Sequence, residues 1–230
     1  MRYGSGLSFS QVLTTSAEAN KVLKSTYFLL SLTLLFSASA AWYAMVSNAA
    51  PVGVFVLLIG MFGLYFLTIA TRNSSWGLVS IFAYTGFMGY TLGPILNFYI
   101  KNFSNGPQMI STALGATAVI FIALSGYTLI SRKNFSFLGG TIAVAALAAF
   151  LIGIGGMLFH MPLLQLLMSG AFALISAAYI LYITSNIIHG GESNYIMATI
   201  MLYVSIFNLF ISLLNIFAAF GGGGGGSNRS

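Results

Sequence analysis

Four uncharged polar side chains recur along the last apolar run of the chain: Ser205, Asn208, Ser212 and Asn215. Their steps of three, four and three residues put them on one stripe of a helix. Hydroxyls and amides of this kind can tie neighbouring helices together or line a path for a polar solute, but they cannot serve as general acids or bases. The second group with chemical capacity is the segment IHGGES, in which His189 and Glu192 flank Gly190 and Gly191. The glycines supply a turn open to positive φ, and the flanking side chains are titratable. The segment therefore reads either as a contact loop for a partner or as an ordinary solvated turn. A third feature is Pro94, with Asn97 about one turn beyond it. The proline lacks an N–H and crowds the carbonyl of Tyr90, which predicts a kink that either improves packing or lines a cavity.

What is missing matters as much. The chain contains no Asp and no Cys. Paired aspartates for intramembrane proteolysis, thiolate metal sites and disulfides are thereby excluded, and neither a nucleophile-plus-base motif nor a phosphate loop is present. The carboxylates Glu18 and Glu192 fall outside the apolar runs, and His160 and His189 fall at their ends. His160 has no acidic or thiol neighbour, so no metal and no cofactor is expected. Ser and Thr are plentiful, but in apolar helices they usually bond a backbone carbonyl or a neighbouring helix. The expectation is a protein that is not an enzyme.

The elements that must position these residues follow from composition. Of the 230 residues 58% are hydrophobic and only 4% charged, whereas a soluble domain carries about 25% charged residues. This surface belongs in a bilayer, and the net charge of +6 is a matter of topology rather than of nucleic acid. Apolar runs long enough for spanning helices are predicted at Thr26–Val46, Pro51–Ala70, Trp76–Ile100, Gln108–Ile130, Phe137–Phe159, Leu163–Ile183 and Tyr195–Phe220, since a crossing needs about 20 residues. The fold class is an all-α membrane protein with seven transmembrane helices. Residues 1–25 read as a polar cytoplasmic tail, either disordered up to an interfacial anchor at Lys21 and Lys24 or a functional tail grasped by a partner. Residues 26–220 form the membrane domain, and Gly221–Ser230 reads as a flexible linker or appended remnant. With seven crossings, Arg2, Lys21, Lys24, Arg72, Arg132 and Lys133 share the side of the N-terminus, against Lys101 and Arg229 on the other. That bias makes the N-terminus cytoplasmic and the C-terminus external. A row of amides and hydroxyls gains nothing from facing lipid on all sides, so the last helix is expected to turn its stripe toward other helices. Gly86, Gly89 and Gly93, and likewise Gly60 and Gly63, mark faces where helices approach closely.

Several stretches have a familiar wording. Lys21–Ala38 (KVLKSTYFLLSLTLLFSA), Thr85–Asn97 (TGFMGYTLGPILN), Ser131–Gly140 (SRKNFSFLGG), Thr184–Ile196 (TSNIIHGGESNYI) and Leu202–Leu214 (LYVSIFNLFISLL) resemble the Bax inhibitor family of seven-helix membrane proteins. The likeness is to its bacterial inner-membrane branch, and it covers nearly the whole chain after residue 20. It implies a bundle whose last helix is central and surrounded by the other six. It also implies binding to a membrane-anchored, ATP- and zinc-dependent protease of the FtsH kind, and to that protease's regulatory membrane partners. The chain would then be a slowly processed substrate entered through the tail of residues 1–20, with Thr184–Asn194 as a cytoplasmic contact. Other members are described as calcium leaks using two intramembrane aspartates, at the end of the sixth helix and in the seventh. The matching positions here are Ile183 and Ser205. Without carboxylates there is no hard anionic site for calcium, which puts a leak behind the protease-regulator reading.

Overall fold

In hydrocarbon every backbone N–H and C=O must be satisfied within the segment, so long apolar runs fold as helices. The computed structural model describes the backbone of residues 9–158 and 162–221 and the side chains of residues 17–149, 151–152 and 163–221. His160, residues 1–8 and the Gly-rich segment beyond Gly221 lie outside the described residues. Seven helices follow one another: α1 (Phe9–Val46), α2 (Val54–Thr71), α3 (Trp76–Asn102), α4 (Gly106–Ser131), α5 (Leu138–Leu158), α6 (Pro162–Ile188) and α7 (Tyr195–Gly221). Among the described residues α1, α2, α3, α4, α6 and α7 are long and apolar enough to cross a membrane, and the described apolar stretch of α5 is Leu138–Ala149.

Local chemistry sets the ends. Pro107 lies in the first turn of α4 and Pro162 opens α6, positions where a missing N–H costs nothing. Arg132 ends α4 in the left-handed region at φ 49°, its N–H bonding Thr128 O at 3.0 Å. Pro94 lies inside α3, which is helical throughout from Trp76 to Asn102.

Two boundaries differ from the sequence expectation. The first helix begins at Phe9, so residues 9–25 are not a disordered tail. At about 1.5 Å per residue its 38 residues reach about 57 Å, well beyond a hydrocarbon layer of about 30 Å. α6 continues to Ile188, so Thr184–Ile188 are helical and the connecting loop is only residues 189–194. Both differences have one cause: Ser, Thr and Asn are mediocre helix formers, and a short polar stretch does not by itself end a helix.

α7 packs against α1, α2, α3, α4 and α6. Half of its most apolar window is buried, against 6% for α2, which makes α7 the most enclosed of the six long apolar helices. The expected ring of six is incomplete, however, because among the described residues α5 packs on α6 alone. The main core joins Leu30 of α1, Ile81, Tyr84 and Met88 of α3, Ile180 and Ile183 of α6, and Ile200, Leu202 and Tyr203 of α7. A smaller cluster of Leu96, Tyr99, Met109, Ala113, Phe210 and Leu214 fills the opposite end.

α1 is tied with particular care. Gly86, Gly89 and Gly93 of α3 face Phe36, Ser37 and Ala44 of α1. At Gly89 a Cβ would collide with the Ser37 backbone carbonyl, so the close approach of the two helices depends on glycine there. Ser37 Oγ and Tyr203 Oη hydrogen-bond at 2.7 Å, and Tyr203 Oη lies 3.3 Å from the Thr85 carbonyl to which it donates. Tyr27 Oη meets Thr184 Oγ1 at 3.3 Å, and Thr199 Oγ1 donates to Thr26 O at 3.3 Å. At the far end Asn97 Nδ2 donates to Met45 O at 3.0 Å. Asn97 thus adds a second hydrogen bond to a carbonyl in the last turn of α1 that also accepts from Asn48 N at 3.1 Å, and it lines neither of the two grooves described below.

Candidate functional site

The end of the bundle where α1 starts carries Lys21, Lys24, Arg72, Arg132 and Lys133 among the described residues, and the opposite end carries Lys101. At this basic end the loops after α2, α4 and α6 are stitched together by two residues that the sequence reading passed over. Ser185 Oγ accepts a hydrogen bond from Phe135 N at 2.8 Å and lies 3.2 Å from Lys133 O, joining α6 to the α4–α5 loop. Asn194 Oδ1 accepts from Ile196 N and Met197 N at 3.0 and 3.1 Å, which is how an N-cap satisfies the first turn of a helix. Its Nδ2 donates to Arg72 O at 3.0 Å and to Asn73 Oδ1 at 2.9 Å, joining α7 to the α2–α3 loop. Neither role could be read from spacing alone, because the partners lie about 50 and 120 residues away.

The IHGGES segment is part of this frame. Gly190 adopts φ 74°, a conformation glycine enters without steric penalty. His189 is exposed and its Nδ1 lies 2.8 Å from Ser185 O. Glu192 is half-buried, and its Oε1 accepts from Asn194 N at 2.8 Å. The histidine and the glutamate are thus each engaged by their own turn rather than converging on a shared centre. No group of three His, Cys, Asp or Glu able to hold a metal occurs among the described residues.

The stripe of α7 divides in two. Ser205 and Ser212 are buried, whereas Asn208 and Asn215 are exposed. At about 100° per residue the asparagines sit on one edge of the arc, and that edge leaves the core. Ser205 Oγ donates to Met201 O at 2.8 Å, the usual settlement for a helical serine. Asn215 Oδ1 accepts from Tyr99 Oη at 2.6 Å. Asn208 makes no hydrogen bond among the described residues and faces a groove of about 400 Å³ between α5, α6 and α7, whose lining includes Gly139, Ser176, Tyr179, Tyr182 and Ser205. Ile183 is 1% exposed within the main core, so Ile183 is a packed isoleucine and Ser205 a serine satisfied within its own helix.

A second groove of about 490 Å³ lies between α1 and α4 over α7, lined by Leu34, Ala38, Leu114, Phe121, Phe207 and Phe210 with Ser37, Thr117 and Tyr203. Its polar groups are already spent: Ser37 bonds Tyr203, and Thr117 Oγ1 donates to Ala113 O at 2.7 Å.

With the α6–α7 frame in place, likeness to known proteins becomes decisive. The model of the family described as inhibitor of apoptosis-promoting Bax1 matches residues 19–222. The chain belongs to the Bax inhibitor family. Among bacterial members, it is 49% identical over 211 residues to the modulator of FtsH protease YccA of Escherichia coli, covering 91% of this chain and 95% of that protein. An uncharacterized protein of Pseudomonas aeruginosa is 54% identical over 209 residues, covering 89% of this chain and 92% of its own length. An uncharacterized membrane protein of Vibrio cholerae is 45% identical over 210 residues, at 89% and 92%. Membership in the Bax inhibitor family agrees with the membrane setting and all-helical bundle derived from composition and fold.

Proposed function

We propose that this protein is a multi-pass inner-membrane regulator that binds and modulates a membrane-anchored, ATP-dependent zinc protease of the FtsH kind, and that it is itself drawn in slowly through its N-terminal segment. The observation that carries this reading is the 49% identity to a modulator of FtsH protease, extending over 95% of that protein. The fold supports it in two ways. α1 overshoots the bilayer at its start, offering a helical handle of residues 9–25. That end bears five of the six described cations, which supports a cytoplasmic position for it by the positive-inside bias, on the side where ATP is available. The C-terminus then lies outside, with α5 as the seventh crossing and α7 as the axis. At about 1.5 Å per residue the 21 residues of α5 reach about 31 Å, enough for the hydrocarbon layer.

Deleting residues 2–20 tests the handle. Beside co-expressed FtsH the lifetime of the chain is expected to lengthen about tenfold or more, because termini are where proteolysis concentrates and the deletion removes the segment by which the chain would be gripped. An unchanged lifetime together with no co-purification of the protease rejects the reading.

A regulator that acts by binding needs no chemistry of its own, and the protein is proposed not to be an enzyme. The alternative, a calcium leak, has the polar stripe in its favour and the replacement of both acidic positions by Ile183 and Ser205 against it. Purified protein in vesicles loaded with a calcium-sensitive dye is expected to give the flux of empty vesicles. Flux that falls on Ser205→Ala or Asn208→Ala would reverse the order of the two readings.

A further inference from the structure

The two lateral grooves differ in one respect that decides what each can hold. In the α1–α4 groove the three polar side chains are already hydrogen-bonded within the protein. An acyl chain can lie there without leaving a polar group stranded. In the α5–α7 groove Ser176 Oγ, Tyr179 Oη, Tyr182 Oη and the Asn208 amide have no hydrogen-bond partner among the described residues, and all four line the same space. Ser176 is 4% exposed while Asn208 is open to the groove. Asn208 is the fourteenth residue of the 27-residue α7, so an unmet amide sits about halfway along a spanning helix. A polar group left unpaired in hydrocarbon costs several kcal/mol. Lipid tails cannot relieve that cost.

The chemistry of the lining also limits the occupant. It includes no Asp, Glu, Lys, Arg or His, so nothing there would pair with a charged group. What it offers is uncharged donors and acceptors, from the basic end at Gly139 and Tyr182 to Asn208 halfway along α7, beside the stacked rings of Tyr179 and Tyr182, whose centroids are 5.8 Å apart at 8°. Uncharged amides and hydroxyls are the groups by which one transmembrane helix holds another. Among the described residues α5 packs on α6 and not on α7, which leaves the space beside this flank of α7.

We propose that the α5–α7 groove is a docking site for a transmembrane helix of the partner protease, held by an uncharged polar side chain of that helix against Asn208, Ser176 and the two tyrosines. This rests on the protease-regulator reading above and adds a place and a mode of contact to it. The helix lies along the open flank of α7 and sends one side chain into the groove. The tail of residues 1–20 and this groove are then separate contacts, one for entry and one for retention.

The test uses the full chain co-expressed with FtsH and a photo-crosslinking residue at one position at a time. Val204→photo-crosslinker and Phe172→photo-crosslinker report on the proposed groove, Leu114→photo-crosslinker on the α1–α4 groove, and Gln11→photo-crosslinker on the handle. Positions 172 and 204 are expected to capture a membrane segment of FtsH and position 114 to capture lipid. Asn208→Leu, on an exposed position, is expected to leave thermal stability in detergent unchanged while lowering co-purified FtsH about tenfold, the loss of one or two interhelical hydrogen bonds. If position 11 captures FtsH while 172 and 204 capture only lipid, only water, or a second copy of this chain, the docking site is overturned and the regulator reading stands. If no position captures FtsH, both fall.

Discussion

Gly89→Val is expected to prevent assembly of a stable bundle. The first side-chain atom added there meets the Ser37 carbonyl, with Ser37 Oγ 2.7 Å and Ser37 C 2.8 Å away. A flexible side chain could swing aside, but a backbone carbonyl can move only with its helix, so α1 and α3 must separate. Separation breaks the Ser37–Tyr203 hydrogen bond at 2.7 Å and opens the main core beside Tyr84 and Met88. Overpacking alone typically costs 1–3 kcal/mol. With the lost contact and hydrogen bond added, the expectation is about 3 kcal/mol or more, seen as aggregation in detergent or a melting temperature lower by about ten degrees. Gly115→Ala is the control, since nothing lies within 4 Å of a Cβ at that position. It is expected to be neutral or mildly stabilising, by up to about 1 kcal/mol from helix propensity. Equal effects at the two sites would show that the α1–α3 contact is not as close as described.

Ile183→Asp is the second large effect. Ile183 is 1% exposed and packed among Ile180, Ile187 and Leu202. The substitution removes an apolar side chain and introduces a carboxylic acid with no basic or acidic partner provided for it. The transfer term for Asp in a spanning helix is about 2.5–3.5 kcal/mol, and loss of the aliphatic side chain adds about 2 kcal/mol more. The expected result is failure to accumulate in the membrane, followed by western blot against wild type, while Ile183→Val costs about 1 kcal/mol and accumulates normally. If the single aspartate is tolerated at full level, this corner of the bundle is wetter than its burial states, and the case against ion passage weakens with it.

The helices were legible because hydrocarbon leaves the backbone no alternative. The predicted span Trp76–Ile100 meets α3 at Trp76–Asn102, and Tyr195–Phe220 meets α7 at Tyr195–Gly221. Where reading failed, the reason was that polarity and helix are not opposites. Phe9–Ser25 and Thr184–Ile188 are polar stretches carried forward as helix by the apolar runs they adjoin. The stripe on α7 was legible as a stripe, but not as the border between core and groove that leaves Ser205 buried and Asn208 exposed. That border depends on where α5 lies, and a segment rich in Gly and Ala with no polar side chain after Thr141 carries no mark of which neighbour it prefers. Ser185 and Asn194 were invisible as staples because their partners come from other loops.

Of the seven rods, the one nearest the amino end is tethered along its length. Thr26, Tyr27, Ser37 and Met45 are each moored to a different helix or a different depth of the bundle, whereas among the described residues α5 leans on a single neighbour. A protease hauling on that end, as proposed above, would work against these ties from the first stroke, before any slack has been won. Traction of that kind stalls early, and an engine stalled on one load is not free for the next.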